Sequence, residues 1–159
     1  MYHFEVDSFQ KYTFETDKRY LYEVVFSKLD FIFQSNDQIK DHIYELSVEI
    51  VSNFDKLPAK NTKTAATIAQ IIEHYFRNHP SSFAVFHILN TDKKGSSRNT
   101  IFSNWFKRYN SDFLEKHDKI IKDDIDIFYV SLILRKDNPL KNSVLLYFSD
   151  WINRTNASK

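Results

Sequence analysis

The segment Asp92-Lys93-Lys94-Gly95-Ser96-Ser97-Arg98-Asn99 has the residue types best suited to chemistry. It gathers three cations, two hydroxyls and the only glycine of the chain. It also falls between a buried-strand pattern and a helical one. The first turn of a helix offers unpaired N–H groups and the positive end of the helix dipole, which together suit an anion. Serine hydroxyls and an arginine fork add donors in the same place. Lys94, Gly95, Ser96, Ser97 and Arg98 are therefore the candidate anion-binding residues, for a phosphate, a nucleotide or a carboxylate. An exposed, serine-capped turn with solvated lysines accounts for the same residues without any ligand.

Other constellations are weaker. Asp92-x-Lys94 matches half of a metal-dependent nuclease pattern, but it fixes only two positions, and Glu45 and Glu49 are not marked by spacing as the missing acids. Lys122-Asp123-Asp124-Ile125-Asp126 brings three carboxylates before a strand. Oxygen donors suit a hard cation, yet acids at a strand entrance more often block edge pairing. None of the six histidines falls in a zinc spacing. His87 lies inside an apolar run and reads as a hydrogen-bonded core or lining residue. There is no cysteine, which excludes disulfides, thiolate metal sites and cysteine nucleophiles. A single glycine, where average usage would give roughly eleven, rules out glycine-rich phosphate loops and the nucleophile elbow. No catalytic residue, resident metal or cofactor is implied.

The elements that must position these residues follow from periodicity. Tyr12, Phe14 and Thr16, then Tyr20, Tyr22, Val24 and Phe26, alternate at period two, and Tyr2, Phe4 and Val6 precede them in the same pattern. Leu29, Phe31 and Phe33 suggest a further strand. Tyr44, Leu46, Val48 and Ile50 alternate again, although Ile39, Ile43, Leu46 and Ile50 also fit an amphipathic helix. Ala65, Ile68, Ala69, Ile72, Tyr75 and Phe76 form a helical stripe, opened by Asn61/Thr62/Thr64 and closed by Asn78-His79-Pro80. Phe83 to Leu89 is apolar on both faces, as in a central strand. Ile101, Phe102, Trp105, Phe106 and Tyr109 give a second helix, Ile125 to Leu134 another strand. Asn138-Pro139 opens a last helix carrying Leu140, Val144, Leu145, Phe148, Trp151 and Ile152.

Strands first, then helix and strand in alternation, predict an α+β fold. Residues 1–159 form one domain, in which an N-terminal antiparallel meander precedes helices packed on one face of a mostly antiparallel sheet. The 22 basic and 21 acidic residues nearly cancel, which argues against a nonspecific nucleic-acid binder. Lys11-Tyr12-Thr13-Phe14 and Arg19-Tyr20-Leu21-Tyr22 could stack bases, but alternation at period two is also what a core-facing side requires. No apolar run reaches the roughly 18 residues of a membrane helix, and the first residues lack a signal-peptide pattern. A cytoplasmic protein is the expectation.

Tyr12-x-Phe14-x-Thr16…Tyr22-x-Val24-x-Phe26, Arg98-x-x-x-Phe102-x-x-Trp105-Phe106 and the terminal amphipathic helix together resemble a small family of uncharacterised bacterial proteins, mostly from Bacteroidetes. The chain departs from the family at Asp17-Lys18-Arg19, where a glycine is expected in the turn. The resemblance implies a short bacterial accessory protein of a toxin–antitoxin or phage-defence cluster, and it too singles out Arg98. The expected function is binding to a protein partner, with aromatic side chains as anchors. The alternative is a small enzyme or ligand-binding protein that holds a phosphate on the Lys93–Asn99 loop.

Overall fold

The computed structural model describes residues 1–29, 37–52, 61–88, 95–109, 112–122, 124 and 127–157. Phe31, Phe33, the loop 92–94, Asp123 and Asp126 lie outside the described residues. Seven strands build one sheet: β1 (Glu5–Val6), β2 (Lys11–Glu15), β3 (Leu21–Lys28), β4 (Ile43–Ile50), β5 (Phe83–Ile88), β6 (Leu114–Lys122) and β7 (Ile127–Arg135). The helices are α1 (Asp37–Lys40), α2 (Thr62–Asn78), α3 (Gly95–Tyr109) and α4 (Lys141–Ala157). The strand order is β1-β2-β3-β4-β5-β7-β6, and every neighbouring pair is antiparallel except β4 and β5.

The N-terminal meander forms as its alternation predicts. Tyr12, Phe14, Tyr22, Val24 and Phe26 all point to one buried face. The turn before β3 carries Arg19 at φ 64°, a left-handed conformation that glycine adopts without steric cost. The residue lies in the Asp17-Lys18-Arg19 turn, where the family resemblance calls for a glycine. Arg19 is held there by its N–H bond to the Thr16 carbonyl at 2.9 Å and an ion pair with Glu15 at 2.8 Å. The ambiguous segment after Ile39 is strand: β4 pairs with β3 through seven residue pairs from Tyr44–Lys28 to Ile50–Tyr22. Long-range pairing overrides the helical spacing there.

α2 covers the meander. Asn61 caps it, its side-chain oxygen accepting from the N–H groups of Lys63 and Thr64 at 2.9 and 3.4 Å. Its apolar stripe, Ile68, Ile71, Ile72, Tyr75 and Phe76, is buried. Tyr75 lies flat on Phe26, ring centroids 3.6 Å apart. The Tyr2 N–H donates to Thr67 Oγ1 at 2.8 Å, tying the chain start to the same helix.

The α+β class, the strand-first order and the mostly antiparallel sheet are as expected. The helices, however, divide between the two faces. α2 and α3 pack with Ala84, Ile88 and Ile133 on one side, whereas Val144, Phe148 and Ile152 of α4 pack with Phe83, Val85, Leu132 and Leu134 on the other. The cause lies in β5 and β7, which are apolar on both faces and so need cover on both. β6 is a strand that the apolar pattern does not reveal. It is one outer edge of the sheet, β1 being the other, and pairs with all nine residues of β7.

Candidate functional site

A large opening lies where the parallel pair parts. β4 and β5 are in register from Ile43–Phe83 to Leu46–Phe86, and there the ladder ends, although β4 continues to Ile50 and β5 to Ile88. Burial along β4 loosens in step: Ile43 and Leu46 are buried, while Ser47, Val48 and Ile50 are half-buried and Glu49 exposed. A cleft of about 1280 Å³ fills the gap, walled by the first turns of α2 and by one side of α3. Cavities for small ligands measure roughly 300–1,000 Å³, so this one is large.

Its walls differ in charge. α3 contributes Arg98, Trp105, Arg108 and Tyr109, and across its whole length it carries three cations and no carboxylate. The Arg108 guanidinium lies 5.5 Å from the centre of the Tyr109 ring. On the opposite face of the sheet, Glu45, Glu49 and His87 reach the same cleft. His87 Nδ1 is 3.5 Å from Glu45 Oε1, and its ring packs 6.4 Å from that of Trp151 on α4. Burial lowers the His87 pKa below the usual imidazole value, and the Glu45 carboxylate pulls the other way without cancelling it. His87 is thus a neutral lining residue at pH 7, oriented by a carboxylate. Such a pair can accept or relay a proton, and Ser47 lines the same cleft.

The sequence-predicted anion residues are only partly gathered at this cleft. Lys94 falls outside the described residues. Gly95 is the first residue of α3 and is buried, so it starts the helix rather than presenting backbone to solvent. Ser96 and Ser97 are exposed and are not among the cleft's lining. Arg98 lines it. One residue further on, Asn99 Oδ1 is buried without a hydrogen-bond partner, and an orphaned acceptor calls for a donor rather than an anion. Of the three acids before β7, only Asp124 is described; among the described residues no cluster of three or more metal-ligating side chains occurs.

The candidates for base stacking, Tyr12, Phe14, Tyr20 and Tyr22, are all buried, Tyr12 and Phe14 to 2% exposure or less. Phe102, Trp105 and Tyr109 of α3 line the cleft, together with Tyr22 and Phe86 from the strands.

Two polar clusters on β6 escaped the sequence reading. Under α3, the Lys116 ammonium donates to Ser103 Oγ at 3.0 Å and pairs with Asp118, whose carboxylate also accepts from Ser131 Oγ at 2.7 Å. Under α4, Lys141 Nζ lies 2.9 Å from a Glu115 carboxylate oxygen, with His117 Nε2 at 3.4 Å. Burial would raise the Glu115 pKa; the hydrogen bonds and charges of Lys141 and His117 outweigh it and bring it below the usual carboxylate value. A Ser103–Lys116 contact resembles a nucleophile–base pair in composition. Here, however, the lysine is also paired with Asp118. Both clusters are read best as the means by which a charged edge strand is packed between two helices.

Among the described residues no helix is long and apolar enough to cross a membrane. Neither the curated proteins nor the solved structures yielded a match to this chain. A family profile does match, over residues 60–150, more than half of the sequence. The matched span holds α2, β5, α3, β6, β7 and the first part of α4; it includes the Arg98–Phe106 motif and leaves the Tyr12–Phe26 motif and β4 outside. The chain therefore belongs to a family of unknown function, DUF6169.

Proposed function

We propose that this protein is a binding module that engages a protein partner through the cleft between β4, β5, α2 and α3. The observation that carries the reading is the cleft itself, too large for a simple anion and walled by Trp105, Tyr109, Arg98 and Arg108. Aromatic and arginine side chains are the residue types that dominate interface energetics. A bacterial toxin–antitoxin or phage-defence setting belongs to the same proposal, on the strength of the family resemblance alone.

The test is native mass spectrometry of the protein purified from cells that express its own gene neighbourhood, alongside Arg108→Glu. Arg108 is exposed, so the variant should fold. A co-purifying protein at fixed stoichiometry that Arg108→Glu releases supports the reading. A partner retained by the variant places the interface elsewhere and contradicts it.

The second reading, a phosphate-bearing ligand held at the start of α3, is favoured by one observation: Arg98 faces the cleft. On that reading a small bound mass matching a nucleotide or phosphate ester is found, and Arg98→Ala abolishes it with the melting temperature kept within a few degrees.

A further inference from the structure

We propose that the cleft takes an extended segment of the partner as an added strand on β4, with the segment's carboxylates turned toward α3. The inference rests on the reading of the cleft as a partner site and names what enters it.

The backbone supplies the first argument. The Val51 N–H donates to the Leu21 carbonyl, and the Leu29 N–H to the Ile43 carbonyl. Odd-numbered positions of β4 therefore bond toward β3. The Phe83 N–H donates to the His42 carbonyl, so even-numbered positions bond the other way, toward β5. Alternation of this kind is a property of any strand. Since the β4–β5 ladder ends at Leu46–Phe86, the N–H and C=O groups of Val48 and Ile50 face the cleft, and no described residue pairs with them there. Two consecutive cleft-facing positions are the start of a docking edge for an extended chain.

The outer edge of the same sheet shows that such groups are covered elsewhere. At the free side of β6, the Asn156 amide of α4 donates to the Ile120 carbonyl at 3.2 Å and accepts from the Lys122 N–H at 3.0 Å. One side chain takes the place of a neighbouring strand. No comparable residue among those described stands at Val48 and Ile50.

Charge supplies the second argument. Side chains of an added strand alternate between the two faces of the sheet. One set would meet Trp105, Arg98 and Arg108 on α3, a wall without a carboxylate. The other would meet Glu45 and Glu49 beside the neutral His87. The segment that fits has carboxylates at every second position and basic or polar residues between them. A helix would leave the Val48 and Ile50 groups unsatisfied, and a free anion would leave most of the cleft empty.

The experiment uses the full chain as bait for a display library of random ten-residue peptides. Enriched peptides are then synthesised with and without backbone N-methylation at alternate residues. The expected result is enrichment of sequences with acids at one parity, at least tenfold weaker binding when one parity is N-methylated, and similar loss in Arg98→Glu and Arg108→Glu. Helically spaced hits, or hits indifferent to N-methylation at either parity, overturn the strand addition while the cleft reading stands. Hits indifferent to Arg98→Glu, Arg108→Glu and Trp105→Ala overturn the cleft reading as well, as does failure to enrich any peptide. Sedimentation without peptide covers the remaining occupant: a dimer that Arg108→Glu dissociates shows that a second copy of this chain fills the cleft, and it overturns the proposal.

Discussion

Apart from the two-residue β1 at its other end, the sheet has two edges of different character. The outer one, β6, is nine residues long, charged on both faces and closed over its last residues by the Asn156 amide. The inner one, on β4 past Leu46, is only a few residues long, half-buried and without a covering strand among the described residues. Exposed edges template unwanted pairing, and proteins blunt them with charges, short strands or a covering element. β6 uses two of these devices. Among the described residues the inner edge has none beyond its shortness, and it lies in the cleft of about 1280 Å³. What the difference teaches is that edge protection here is local: it is applied where any chain could pair, and omitted where the walls of a cleft restrict access.

The comparison breaks hardest at the anchored end of the parallel pair. Phe83 is fully buried against α4 and opens the β4–β5 ladder. Phe83→Ala should cost about 3–5 kcal/mol, measured by urea denaturation, and should loosen both walls of the cleft. Val48→Ala, at the parted end of the same pair, should cost about 1 kcal/mol. Equal losses would mean that the two ends are equally packed.

The guarded edge gives the next largest effect. Asn156→Ala removes two hydrogen bonds and should cost about 1–2 kcal/mol. It also uncovers Ile120 and Lys122, so concentration-dependent association should appear in sedimentation. A strictly monodisperse variant would show that the amide is not what protects β6.

The smallest effect concerns pH at the β5 side of the split. Burial depresses the His87 pKa, so the unfolded chain binds its proton first as pH falls. The contribution of His87 is fully present above about pH 6.5, the unfolded value, and is lost as pH falls from there through the lower folded value. His87→Gln should flatten that part of the stability–pH curve. An unchanged slope would assign it to other groups.

Much of this fold was legible in the residues. β2 and β3 announce themselves because one face is aromatic and buried while the other is solvated. α2 does so because Asn61 caps a clean stripe that His79 and Pro80 end. The two-sided apolar run at Phe83 to Leu89 already called for cover on both faces, and the expectation of helices on one face overlooked it. β6 was hidden for a physical reason. Its positions alternate Glu115, His117 and Lys119 with Lys116 and Asp118, and such residues signal a loop until an ion pair with Lys141 and hydrogen bonds with Ser103 and Ser131 are seen to satisfy them. The site was legible least. Arg98 was singled out, but the cleft arises where two strands far apart in sequence stop pairing, and no local pattern encodes that. Glu45 and His87 are 42 positions apart and meet only because β4 and β5 are parallel neighbours.

Amide hydrogen exchange, read residue by residue by NMR on the free chain, tests the open inner edge most directly. The amides of Ser47 and Glu49 point toward β3 and should exchange slowly, as should that of Leu46, which faces β5 within the ladder. Those of Val48 and Ile50 should exchange faster by orders of magnitude. Protection at Val48 and Ile50 equal to that at Glu49 would mean that the edge is already paired, and would contradict the account.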